Sequence, residues 1–193
     1  LAFFTLVLST PCFGMNSPKE VMKERVDKVI SILRSEEFEE AKPGERIQML
    51  RDSAEDFFDK EEIARKSLGI NWRSFSPAQR EKFIDLFQEL LENIYYKQIK
   101  NFEYSVEKVH FGEQLVSGNR ARVHSMVVND GKKTPVDYSL YKKDGKWLIY
   151  DVRIEGVSMI RNYRSQFHKI LSENSPGYLL ELLVKKVAEL ANN

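Results

Sequence analysis

A single cysteine, Cys12, stands in a chain of 193 residues. No disulfide can close within such a chain, and a thiol-rich metal site is excluded with it. Histidine is scarce as well. His110, His124 and His168 fall in a strand, a strand and a helix by pattern, with no metal-ligand spacing among them. They read as structural or surface side chains. Charge of one sign is missing: 30 basic residues face 29 acidic ones, for a net +1. A nucleic-acid binder needs a basic excess, so the balance argues against that class. There is no phosphate loop, dinucleotide fingerprint or zinc-protease pair. Gly156-Val157-Ser158-Met159 lacks the second glycine of a nucleophile elbow, and Ser158 follows a meander strand rather than a buried parallel one. No apolar run reaches the ~20 residues that a membrane-spanning helix needs.

What is present begins with a short apolar leader. Leu1 to Leu8 is almost wholly apolar, and no Lys or Arg occurs before Lys19. It reads as the core of a secretory signal peptide, with the small residues Cys12 and Gly14 at −3 and −1 of a cut before Met15. Thr10 and Pro11 suit a lipoprotein box poorly. Cleavage there removes the only cysteine, which suits an oxidising compartment. The full chain is 42% hydrophobic, enough for a packed core. The expected organisation is residues 1–14 as leader remnant and 15–193 as a single domain. Within it, 15–101 is mainly helical, 102–155 is a β-meander and 156–193 holds C-terminal helices.

Local signals set the elements. Ser17-Pro18 opens an amphipathic helix with Met22, Val26, Val29, Ile30 and Leu33 on one face. Its polar face mixes both charges, so it is expected to lie on its own domain rather than on a membrane. Pro43-Gly44 marks a break, and Ile47, Leu50, Ala54, Phe57 and Phe58 form a second stripe. Asp59 with Glu62 can cap a third helix that Gly69 closes. Ser76-Pro77-Ala78-Gln79 is a full capping box, and the helix behind it should run to about Lys100 with a broad apolar stripe.

The period then changes to two. Strands are expected over Tyr104–Phe111, Ala121–Val128 and Val136–Tyr141, with turns at Ser117-Gly118-Asn119, Asn129-Asp130-Gly131-Lys132 and Lys143-Asp144-Gly145-Lys146. A last strand covers Trp147–Ile154. Leu148, Tyr150, Val152 and Ile154 are expected on one face, and Trp147, Ile149, Asp151 and Arg153 on the other. Gly156 ends it, Ser158 caps a helix through Tyr163 and Phe167, and Asn174-Ser175-Pro176 starts the final helix. The fold class is α+β: a four-stranded antiparallel curved sheet, similar to an NTF2-like cone, with several helices on one face.

One stretch carries a resemblance. Trp147, Asp151, Val152, Glu155-Gly156-Val157-Ser158, Asn162-Tyr163-Arg164, Gln166 and Phe167 resemble the signature of the MlaC family of periplasmic phospholipid-binding, toluene-tolerance or ABC-transporter auxiliary proteins. Upstream, Leu68-Gly69, Trp72-Arg73, Ser76, Gln79-Arg80, Phe83, Phe87, Leu90-Leu91 and Tyr95 resemble its first half. Together they span about Arg46 to Leu183. The resemblance implies a monomeric periplasmic carrier with no cofactor, phospholipid as cargo, and no catalytic residues. It implies two further partners: an inner-membrane ABC transporter bearing a ring of MCE domains, and an outer-membrane lipoprotein–porin complex. The implied apolar cavity draws on Phe57, Leu68, Phe83, Phe87, Leu90 and Ile94 from the helical half. Val127, Tyr138, Leu140, Trp147 and Ile149 come from the meander, and Val157, Ile160, Tyr163 and Phe167 from its exit. The tails are expected between the face bearing Tyr138 and Leu140 and the helix face bearing Leu90 and Ile94.

Three other readings stay open. One is an exported carrier of a different apolar lipid, hopanoid-like. Another is a small-molecule enzyme on a cone-shaped fold, using Asp151 or Asp137 with Tyr138. The third is an adaptor whose cavity is closed.

Overall fold

The computed structural model describes residues 17–102 and 106–191. The leader read at 1–14 and the strand start read at Tyr104 lie outside the described residues. Four helices come first: α1 (Pro18–Leu33), α2 (Glu36–Glu40), α3 (Pro43–Ala54) and α4 (Lys60–Leu68). A 3₁₀ segment (Gly69–Ser74) leads into α5 (Pro77–Phe102). Strands β1 (Val106–Ser117), β2 (Arg120–Asn129), β3 (Lys132–Lys143), β4 (Lys146–Ile154) and β5 (Val157–Ser158) follow, then α6 (Met159–Leu171) and α7 (Pro176–Ala191). The fold class is α+β with an antiparallel curved sheet, as expected.

Helices start where the sequence supplies caps. Ser17 accepts from the Glu20 amide, and the Glu20 carboxylate accepts from the Ser17 amide at 2.7 Å. Asp59 accepts from the Glu62 amide at 2.8 Å. Ser76 and Gln79 make the reciprocal pair at the head of α5. Ser158 accepts from the Arg161 amide at 3.1 Å. Each cap stabilises its helix by roughly 1 kcal/mol. Gly69 ends α4 with φ 57, and Arg164 packs against it, 3.2 Å from where a Cβ would sit. α2 escaped the sequence pattern because its five residues carry one apolar side chain, Phe38, and no period can be read from one residue.

The sheet has five strands in the order β1-β2-β3-β4-β5, not four. The fifth arises because Glu155-Gly156, with φ 50 and 82, folds the chain back onto β4 instead of simply ending it. Asp130-Gly131 and Asp144-Gly145 have the same pair of left-handed residues at the two hairpins the sequence announces.

A bulge corrects the expected strand faces. Ile149 pairs with Leu140, but Asp151 pairs with Ser139, so Tyr150 is an extra residue in β4. Neighbours Ser139 and Leu140 point to opposite faces, and therefore so do Asp151 and Ile149. Trp147, Ile149, Val152 and Ile154 share the inner face with Val136, Tyr138 and Leu140; Asp151 and Arg153 lie on the outer one.

Buried apolar residues form three clusters among the described residues. Met22 of α1 packs on the inner sheet face with Ala121, Val123, Leu140, Trp147 and Ile149. The helical cluster gathers α4 through α7 around Phe83, Phe87, Phe167 and Leu183. A small third cluster ties α1, α2 and α3 through Phe38 and Leu50.

Candidate functional site

The expected cavity residues divide between two clusters. Leu68, Phe83, Phe87, Leu90, Ile160 and Phe167 are buried in the helical one, with Ile94 and Tyr163 half-buried against it. Phe87 meets Tyr163 with ring centroids 4.9 Å apart and Phe167 at 5.3 Å, both edge-to-face. Leu140, Trp147 and Ile149 are buried in the sheet cluster, with Phe57 and Tyr138 half-buried beside them. The Tyr138–Leu140 face and the Leu90–Ile94 face thus belong to different clusters. Val127 is half-buried, on the inner face by register. Val157 joins neither cluster; in the two-residue β5 its side chain is 64% exposed.

Sequence reasoning missed the residue that joins the two. Phe58 packs against both clusters. Its segment lies alongside β4, where the Ile149 amide donates to the Phe57 carbonyl at 2.8 Å and the Asp59 amide donates to the Ile149 carbonyl. Periodicity placed Phe58 on the stripe of α3, but α3 ends at Ala54, residues 55–57 form a turn, and Phe58 bridges to Ile149 of β4. Phe111 and Val152 were also missed. Both border the sheet cluster, and Phe111 stacks on Tyr138 at 6.5 Å.

Tyr138 combines two properties. Burial pushes its phenol pKa up, against a smaller downward pull from Ser125. Yet its side chain keeps accessible surface. Burial likewise raises Tyr95, with a lesser contribution from the charge of Asp151, and pushes Tyr163 to about 12. These phenols stay neutral at any ordinary pH.

The acidic residues are committed to structure. Asp151, 5% exposed, accepts from Ser158 Oγ at 2.7 Å and from the Ile160 amide at 3.1 Å. It therefore holds the head of α6 against β4, together with the Ser158 cap. Asp137 pairs with His124 Nδ1 at 2.6 Å on the outer sheet face. Tyr138 points to the opposite face, so the acid–tyrosine constellation of a cone-shaped enzyme is not assembled. Asp59 is 7% exposed. Burial alone would raise its pKa, but hydrogen bonds from Tyr141, the Glu62 amide and Lys143 outweigh it and hold the carboxyl below its ordinary value.

Among the described residues no helix is long and apolar enough to cross a membrane, and no three metal-capable side chains cluster.

Comparison with known proteins places these features. The family model of the MlaC protein matches residues 23–185. A Haemophilus influenzae protein, the intermembrane phospholipid transport system binding protein MlaC, is 23% identical over 181 residues, covering 91% of this chain and 83% of its own. A phospholipid-binding protein from Ralstonia solanacearum, solved in complex with a phospholipid, superposes with a TM-score of 0.82 at 23% identity. The match covers 91% of this chain and 99% of that one. At that identity the structural likeness establishes the shared fold.

Proposed function

The chain belongs to the MlaC family, and from that premise we propose that it carries phospholipid, enclosing the acyl chains between the inner sheet face and the helices opposite. Two tails of about sixteen carbons cost roughly 20 kcal/mol or more to expose to water, at ~0.8 kcal/mol per CH₂. A carrier must therefore cover both, whereas the head group can stay wet.

The observation that carries this reading is the split of the apolar interior into a sheet cluster and a helical cluster that touch through Phe58. Two apolar clusters meet at Phe58, and each is edged by half-buried apolar side chains. Ile94 and Tyr163 edge one; Tyr138, Phe57, Phe111 and Val152 edge the other. We assign the tails to the seam between them. Phe83, Phe87, Leu140 and Trp147 then frame the seam rather than line it. Cargo takes the place of a cofactor, and carriage rather than catalysis is the activity. Export with cleavage after Gly14, a single domain over 15–193, and a periplasmic location belong to the same proposal. So does exchange with an inner-membrane transporter and an outer-membrane complex.

Ile94→Glu tests the seam. A charge facing tails must be desolvated, so lipid is expelled, and the expected product is a folded protein with no bound phosphorus. Leu140→Arg is the contrast. Leu140 has no exposed surface, so the charge enters dry core and the fold is lost. Folding is read by circular dichroism and cargo by phosphorus per chain. Wild-type phosphorus in folded Ile94→Glu would move the tails elsewhere, and bound lipid without phosphorus would favour a hopanoid-like cargo.

A further inference from the structure

A polar cleft lies at the end of the sheet where β2 begins and β3 ends. Its volume is about 180 Å³, and its walls include Glu62 and Lys66 of α4, Arg120 of β2, Tyr141 and Lys142 of β3, and Tyr150 of the β4 bulge. It fits a small polar group and not an acyl chain.

Its charge is positive. Lys66 and Arg120 face a lone lining carboxylate, Glu62, while the Lys142 ammonium is drawn away over the Trp147 ring, 5.8 Å from its centroid. That carboxylate is already engaged: Arg65 donates to both of its oxygens at 2.8 Å, and Lys66 Nζ sits 3.2 Å away. The aromatic wall offers no cation site. Lys66 Nζ covers the Tyr150 ring at 4.8 Å from its centroid, so the face that would attract an ammonium is taken. The wall is also fixed in place. The Tyr141 hydroxyl donates to Asp59, the buried cap of α4, and the Tyr141 and Tyr150 rings lie 6.0 Å apart.

We infer that this cleft binds a phosphate group, as a phosphate monoester or diester, with Arg120 and Lys66 as its principal donors. Charge-assisted hydrogen bonds from guanidinium and ammonium to phosphate are the strong ones, and a fixed cleft loses little freedom on binding. The inference is independent of the acyl seam, because neither donor, Arg120 nor Lys66, belongs to either apolar cluster or its edge.

Calorimetric titration of the full protein with inorganic phosphate and with glycerol 3-phosphate tests it, alongside Arg120→Ala, Lys66→Gln and the control Lys132→Ala at the far end of the sheet. Saturable millimolar binding, weakened about tenfold or more by Arg120→Ala or Lys66→Gln and unchanged by Lys132→Ala, is the result expected. Arg120 is exposed, so its replacement leaves the fold intact even if Lys66→Gln does not. Vesicles of phosphatidylglycerol against phosphatidylcholine separate the sources. Arg120-dependent binding to the former identifies a lipid head group, and phosphate binding without vesicle binding identifies a free phosphate. No saturation by either phosphate, or equal loss in Lys132→Ala, overturns the site.

Discussion

Two aspartates show how single residues hold this architecture together. Asp59 joins α4, β3 and β4 through its side chain and its amide. Its folded pKa is lowered. The stability it gives is therefore present above the ordinary carboxylate pKa and is lost as pH falls through the folded value. Asp59→Asn should melt below wild type at neutral pH, with the gap closing as the pH drops below about 4. A gap that stayed constant into acid would mean the charge contributes nothing. Asp151 and Ser158 make the second prediction. Ser158→Ala should cost about 1 kcal/mol. Asp151→Ala leaves a buried hydroxyl and an amide without their acceptor, for a further ~1–3 kcal/mol. Both variants should carry wild-type lipid per chain once folded, measured as bound phosphorus beside the melting temperature. Loss of cargo from a well-folded Asp151→Ala would give that acid a direct role.

At the scale of elements, the helices were legible because their ends are written locally. Ser17, Asp59, Ser76 and Ser158 all cap where expected, and Asp130-Gly131 and Asp144-Gly145 turn where expected. What was not legible depends on contacts far along the chain. The Tyr150 bulge has no local mark, and it sends Asp151 to the outer face against the strict alternation of the strand pattern. Glu155-Gly156 reads as a break until β4 is there to receive β5. Periodicity says which face of a helix is apolar, but not what covers it. It grouped Leu90 with Tyr138, which the fold assigns to separate clusters. The helical cluster invites its own test. Phe87 is 1% exposed and touches Phe83, Tyr163 and Phe167. Phe87→Ala should cost about 3–5 kcal/mol in denaturant unfolding. A loss below about 1 kcal/mol would show that the site collapses readily and is no rigid frame.

At the scale of the whole molecule, a curved sheet and a helical layer each bury a core of their own and meet at Phe58. Such a division leaves a seam, to which the proposed diacyl cargo is assigned. The apolar inner face of the sheet, and the placing of Asp137 and Asp151 on the face opposite to Tyr138, fit carriage in a single scheme. Native mass spectrometry of the protein purified from the periplasm of its host, with no lipid added, addresses that scheme most directly. The expected result is a chain beginning at Met15 that carries the added mass of a diacyl phospholipid, released as such on organic extraction. A bare chain mass from every gentle preparation would contradict it.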